Sequence, residues 1–309
     1  GNSGQGRGKR RPAHPEGTMK DLSFARSWLF VPGDSERKLA KCWSSGADAI
    51  IIDLEDSVTA GNKALARATT AQAIRTARSD GIASTIVVRI NAWQTGLLED
   101  DIAAISGAGA DGYVVPKVAR ASDLASIAAL LDRIEPAAST QASLIPIATE
   151  LPEAIFRLPE IATAHERVRA LFWGMEDLGV EVGARRTRRA DGEILEAFRM
   201  VRSLALFAAA AAGIACVDTP FVDIANASGL ASEAQEASWV GFSGKLAIHP
   251  SQVDAINAAF SPSAEEVEEA RAILAMSRDG GGAAFRYAGR MIDTPHLNAA
   301  ERLLSRLRA

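Results

Sequence analysis

Carboxylates, an arginine and a lysine recur at the ends of short apolar runs along this chain. Asp53, Glu55 and Asp56 follow "AIII", Arg89 and Asn91 close "TIVVRIN", and Lys117 ends "GYVVPK". Glu150 follows "SLIPIAT", Glu176 and Asp177 follow "RALFWGM", and Asp218, Lys245 and His249 complete the set. Acids gathered on one rim would repel one another and lose hydration unless a cation neutralised them. Mg²⁺ suits such a set, because it takes one or two protein carboxylates and leaves its other positions to water and substrate oxygens. Arg89 lies inside an apolar run and needs an anion there. That anion is read as a substrate carboxylate or a developing oxyanion, held by the guanidinium fork.

Each residue also has an ordinary alternative. Asp53 to Asp56 could flank the next helix, Glu150 could be a first-turn acid before "PEAIF", and Lys117 a solvated rim charge. His249 in "AIHPSQ" reads as a residue that orients the turn into the following helix. Cys42 and Cys216 read as core residues with no disulfide framework. The histidines His14, His165, His249 and His296 are scattered, which argues against a zinc site of nitrogen and sulfur ligands.

The elements that must position these residues are eight apolar runs: "WLFVP", "AIIID", "TIVVRI", "GYVVPKV", "SLIPIA", "RALFWG", "IACVD" and "GKLAIHP". None alternates cleanly with polar residues, which suits parallel strands buried on both faces. Between them, helical periodicity predicts helices over 35–45, 62–79, 98–106, 122–134, 152–165, 193–212 and 231–239. Eight β/α units between Trp28 and Pro250 approach the roughly 250 residues of a closed (β/α)8 TIM barrel, the fold expected here. In that fold the C-terminal strand ends build the active site, so the polar run ends become the candidates. An open doubly wound sheet is the rival, but "FVPGDS" is no G-x-G-x-x-G fingerprint and no Walker loop appears. The expected organisation is a barrel over 19–250 and a C-terminal helical extension over 251–309, with helices at 253–260, 264–277 and 297–308.

The chain has 309 residues, 48% hydrophobic and 23% charged, enough for one large domain with a substantial core. Residues 1–18 are Gly-rich, carry Arg7, Lys9, Arg10 and Arg11 against Glu16, and lack the apolar core of a signal peptide. They are expected to be a flexible or cloning-derived leader. Removing their net +3 from the whole-chain −4 leaves about −7 on the remainder, which disfavours a nucleic-acid partner. No apolar stretch reaches membrane-spanning length, so no membrane association is expected and a cytoplasmic location is.

The order of motifs resembles the citrate lyase β-subunit-like branch of the HpcH/HpaI aldolase/citrate lyase family. The resemblance runs from "RSWLFVPGDS" through "ADAIIIDLEDSV", "VVRIN", "VVPKV", "WGMEDLG", "VDTPFVD" and "GFSGKLAIHPSQ" to "GRMIDTPHL". It covers essentially the whole chain after the leader. The resemblance implies a (β/α)8 barrel with Mg²⁺, or Mn²⁺ in its place, held by Glu150 and Asp177. It implies Arg89 as a catalytic and substrate-binding arginine, with Asp53 and Glu55 orienting metal-bound water and Asp56 and Lys117 on the substrate. "IATELPEA" departs from the Ile-Glu-Thr common at strand 5, leaving Glu150 as the carboxylate at the strand end. Asp56 stands where the aldolase branch has a catalytic histidine, so the thioester-lyase branch fits better. In that branch the aspartate of "MID", here Asp293, serves a neighbouring subunit's site. Asp293 also reads as a helix N-cap.

The activity so implied is Mg²⁺-dependent cleavage of a 3-hydroxyacyl-CoA thioester of the citryl-, malyl- or citramalyl-CoA type. The products are an acyl-CoA and a small 2-oxo acid, in a homotrimer or hexamer. The alternatives are malate-synthase-like condensation with thioester hydrolysis, metal-dependent aldol cleavage of a free hydroxy-oxo acid, and a non-catalytic subunit of a lyase complex. The "GARRTRR" stretch, with Arg185, Arg186, Arg188 and Arg189, is either a CoA-phosphate contact or a solvated loop.

Overall fold

The structure is a computed structural model that describes residues 19–135, 141–278 and 284–307. The expected leader, residues 1–18, lies outside the described residues.

All eight apolar runs form strands: β1 (Ser27–Pro32), β2 (Ala49–Asp53), β3 (Thr85–Arg89), β4 (Gly112–Val115), β5 (Ser143–Pro146), β6 (Ala170–Phe172), β7 (Ala215–Asp218) and β8 (Gly244–Ala247). They pair in parallel in the order β5-β4-β3-β2-β1-β8-β7-β6. The two ends of that order meet. Leu144 bridges Val168 and Ile147 bridges Phe172, and the Leu144 N–H donates to the Arg167 carbonyl at 2.7 Å. The sheet is therefore a closed (β/α)8 barrel, as expected.

Two apolar layers explain why the runs do not alternate. Ala49 and Ile51, Val87, Val114, Ile145, Ala170 and Phe172, Val217 and Leu246 point into the barrel, where Trp28 meets Phe172 edge to face at 5.1 Å. The residues between them, such as Ile50, Ile52, Ile86, Val88 and Leu144, pack outward against the helices. Both faces exclude water, so each strand must be apolar throughout.

The helices fall close to their expected places, with two differences. The stretch 152–165 splits into Pro152–Ile155 and Leu158–Ala162, because Pro159 stands in the first turn of the second helix and cannot donate to a continuous one. A six-residue helix, Glu176–Glu181, was not expected. It is too short, and too interrupted by Gly179, to show a period in sequence.

The tail beyond Pro250 divides. Val253, Ile256 and Ala259 of helix Val253–Ala259 join the barrel's outer core, and Ser27 Oγ donates to Asn257 Oδ1 at 2.7 Å. Helices Ala264–Arg278 and Thr294–Ser305 instead share a small core of their own through Ala270, Ile273, Ile292 and Ala300. Between them runs a hairpin not foreseen in sequence, β9 (Ala284–Tyr287) and β10 (Arg290–Asp293). Its two-residue turn, Ala288-Gly289, has positive φ at both positions, 47° and 79°. That is the geometry Asn-Gly usually supplies, so Ala288 hid the turn. Ala288→Gly should relieve the left-handed strain and stabilise the hairpin by up to about 1 kcal/mol. Thermal unfolding should register a higher midpoint; a lower one would mean the turn is not strained.

Candidate active site at the barrel mouth

Parity along the strands decides which run ends face the mouth. Asp53 is two residues past Ile51, and Arg89 two past Val87, so both continue the inward-facing rows and lie opposite each other in the β2–β3 register. Arg89 Nε and Nη2 donate to the two Asp53 oxygens at 2.8 and 2.7 Å. Asp53 also accepts the backbone N–H groups of Glu55 and Ser57. The anion that a buried Arg89 requires is thus Asp53 of the same chain, not a ligand as the sequence suggested. Burial disfavours the Asp53 charge, but Arg89 and the two backbone donors outweigh it and hold the carboxyl below its ordinary value. The other edge of Arg89 turns to the loop after β2: Nη1 lies 3.1 Å from Glu55 Oε2 and 3.9 Å from Asp56 Oδ2, and the guanidinium stacks over Phe30.

Glu55 is 5% exposed and its pKa is raised by burial, against the pull of Arg89 and Lys117. Lys117 Nζ donates to Glu55 Oε1 at 2.6 Å. Lys63, which the sequence reading passed over, donates to the Leu54 and Glu55 carbonyls at 2.7 Å each and pins this loop from below. Asp56 is the exposed carboxylate of the group and lines two adjoining cavities. One, of about 490 Å³, is walled by Asp53, Arg89, Glu150, Trp173 and Asp177. The other, of about 600 Å³, opens beside Glu55, Lys63, Asn91 and Lys117. Asn91 is fixed there by Asp101, which is fully buried and accepts from both its backbone and side-chain nitrogens at 2.7 Å.

Glu150 and Asp177 come from opposite sides of the β5–β6 closure. Thr149 Oγ1 donates to the Gly174 carbonyl and accepts the Gly174 N–H, at 3.0 and 2.9 Å, which locks the two strand ends together. Gly174 is small for a reason: a Cβ there would stand 3.1 Å from Glu150 Cγ. Asp177 occupies the first turn of Glu176–Glu181, where a helix N-terminus favours a carboxylate. Glu150 is 2% exposed. Burial, with Asp177 and Glu55 adding repulsion, pushes its pKa up to about 8, although the Lys117 backbone N–H donates to Oε2 at 2.5 Å.

Other candidates are placed elsewhere. Asp218 and Lys245 have the opposite parity and point into the helix layer, where Lys245 Nζ meets Asp218 and Glu233 at 2.8 Å and Arg202 pairs with Asp218. Those cations hold the Asp218 carboxyl down to about 2 despite complete burial. Arg188 is paired with Glu233 and stacked on Phe221, while Arg185, Arg186 and Arg189 are exposed. His249 Nδ1 accepts the Ser251 N–H and so orients the turn. Asp293 ends β10 and precedes helix Thr294–Ser305, with its Oδ1 2.6 Å from His296 Nδ1. It is half-exposed and lines neither cavity.

The model of the HpcH/HpaI aldolase/citrate lyase family matches residues 26–250. The chain belongs to that family. A citrate lyase subunit beta-like protein of Mycobacterium tuberculosis is 37% identical over 279 residues, 90% of this chain and 94% of its own length. A (3S)-malyl-CoA thioesterase of Cereibacter sphaeroides is 34% identical over 288 residues, 92% of this chain and 95% of its own. Among solved structures, the CitE protein of Mycobacterium tuberculosis in complex with magnesium, acetoacetate and coenzyme A superposes with a TM-score of 0.76 at 35% identity. That match covers 93% of this chain and all of that one.

In this HpcH/HpaI member the donor set at the mouth fits a hard divalent cation. Among the described residues no group of three or more His, Cys, Asp and Glu side chains converges on a point. The two carboxylates of Glu150 and Asp177 line a shared cavity instead, and burial first, then repulsion from Asp177 and Glu55, raises the Glu150 pKa. That matches a cation needing few protein oxygens and many from water or substrate. It also fixes a pH dependence. The unfolded chain releases the Glu150 proton near 4.5, the folded metal-free chain only near about 8. Stability from this group is therefore complete below 4.5 and is lost as pH rises towards about 8, by at most about 1.4 kcal/mol per pH unit. Calorimetric melting in chelator across this window should show a downward slope that Glu150→Gln flattens. Equal slopes would mean that Glu150 ionises normally.

Proposed function

We propose that this chain is a Mg²⁺-dependent carbon–carbon lyase that cleaves a 3-hydroxyacyl-CoA thioester of the citryl-, malyl- or citramalyl-CoA type to an acyl-CoA and a 2-oxo acid. The observation that carries the reading is the joining of Glu150, Asp177 and Arg89 in the wall of one cavity. The magnesium and coenzyme A bound by the structural relative support it.

Glu150 and Asp177 would hold the cation, Mg²⁺ or Mn²⁺ in its place. When bound, it supplies electrostatic stabilisation to substrate oxygens that gain negative charge. In the cleavage the hydroxyl gives its proton to the water that Glu55 orients, the bond between the hydroxyl-bearing carbon and the carbon next to the thioester breaks, and the electron pair passes to the thioester enolate. That enolate takes up a proton to become the acyl-CoA. Arg89, fixed by Asp53, would offer its Nη1 edge, which pairs with Glu55 in the structure, to the substrate carboxylate and the developing oxyanion. Glu55 orients water near the cation, Asp56 and Lys117 contact substrate, and Asp293 of a second copy passes the proton to the enolate. That last role requires a homo-oligomer, a trimer or hexamer. The exposed Arg185, Arg186 and Arg189 would supply positive charge to CoA phosphates.

The test is product analysis with malyl-, citramalyl- and citryl-CoA, with and without Mg²⁺. Release of acetyl-CoA and a 2-oxo acid supports lyase action; no product from any thioester overturns it. The thioesterase relative favours a second reading, hydrolysis. That would release free CoA thiol instead, which a thiol reagent detects.

A further inference from the structure

Lys117 has φ +52°, one of two non-glycine residues with positive φ among the described residues. The other, Ala288, belongs to a hairpin turn that demands it. Lys117 lies just past β4 in "VVPKV", at a bend that belongs to no hairpin. An L-residue in the left-handed region costs about 1 kcal/mol or more, and such strain persists only where surrounding contacts impose it.

Those contacts are present at both ends of the residue. Its Nζ is tied to Glu55 Oε1 at 2.6 Å, on the loop after β2. Its backbone N–H donates to Glu150 Oε2 at 2.5 Å, on the loop after β5. Lys117 therefore spans the mouth from one carboxylate to another. The unusual backbone angle accompanies a donor aimed at Glu150, a side chain that is 2% exposed. Gly174 packs close to the same side chain, where a Cβ would stand 3.1 Å from Glu150 Cγ.

We propose that Lys117 is a positioning residue for the cation site, acting through its left-handed backbone: its N–H fixes one Glu150 oxygen so that the other faces Asp177. The ion pair with Glu55 holds the backbone in place. This rests on the reading of Glu150 and Asp177 as the cation's ligands. It assigns Lys117 a task distinct from any contact with substrate, because the working atom is the amide nitrogen.

The experiment separates backbone from side chain. Lys117→Gly removes the charge but accepts positive φ freely, Lys117→Ala accepts it at moderate cost, and Lys117→Val resists it most. All three lose the lysine charge equally, so electrostatics alone would give three equal affinities. Mn²⁺ affinity is measured by electron paramagnetic resonance on the substrate-free protein, with thermal unfolding of each variant as a control. The expected order of affinity is Gly, then Ala, then Val, with Gly and Val about tenfold or more apart, in the range by which groups behind a ligand set metal affinity. If Val fails to fold, the Gly-to-Ala step carries the test. Equal affinities in the folded variants, with wild type binding Mn²⁺, would overturn this proposal alone. A wild type that binds no Mn²⁺ would overturn the cation reading and this proposal with it.

Discussion

Asp177→Ala should abolish metal-dependent thioester cleavage, with a loss of about 10³-fold or more, while leaving the barrel folded. The reason is the economy of the proposed site: with Glu150 and Asp177 as its two protein ligands among the described residues, neither has a substitute. Metal titration by calorimetry should show affinity weakened by about 10–100-fold or more. Asp177 is partly exposed in the first turn of a six-residue helix, and removing it gives up only its favourable place at that N-terminus, about 0.3–1 kcal/mol. Full turnover in the variant would remove Asp177 from the site. Unchanged metal binding with lost turnover would move the cation elsewhere.

The second large effect belongs to Arg89. Arg89→Met should cost about 10²–10³-fold in turnover by removing the donor proposed for the substrate oxygens. It should also destabilise the protein by about 3–5 kcal/mol, because Asp53 is left buried without its counter-charge. These two losses have different causes and should separate. Adding Asp53→Asn to Arg89→Met removes the orphaned charge, so urea denaturation should show much of the stability restored while turnover stays low. Recovery of both together would mean that Arg89 serves the fold alone.

The pairing of Arg89 with Asp53 marks the limit of what was legible in sequence. Every strand was visible as an apolar run, because a parallel barrel buries both faces. That same property erased the in-and-out pattern. Asp53 and Asp218 end their strands in similar language, "IIID" and "ACVD", yet one lines the mouth and the other is locked among Lys245, Arg202 and Trp173 behind the sheet. Where hydrophobic residues fill both rows, nothing local says which row faces the axis. Thr149 and Gly174 were missed for a related reason. Their value lies in a reciprocal hydrogen bond across the barrel closure, a contact between residues 25 positions apart. The short helix bearing Asp177 was hidden by its length, although the acids it presents were singled out from sequence. Asp293 was found as a helix-capping aspartate, but a single chain leaves it outside both cavities.

The closure itself has a mechanical meaning. Seven of the barrel's seams are continuous ladders, whereas β5 and β6 are joined by isolated bridges. The ladder is interrupted there, and the reciprocal Thr149–Gly174 pair holds its mouth end. Glu150 follows one of its strands and Asp177 the other, so in the proposed reading the cation acts as a second clasp on that interrupted stave joint. Occupancy would then stiffen the whole hoop, and emptying the site would let it open between the two ligands that must meet again to refill it.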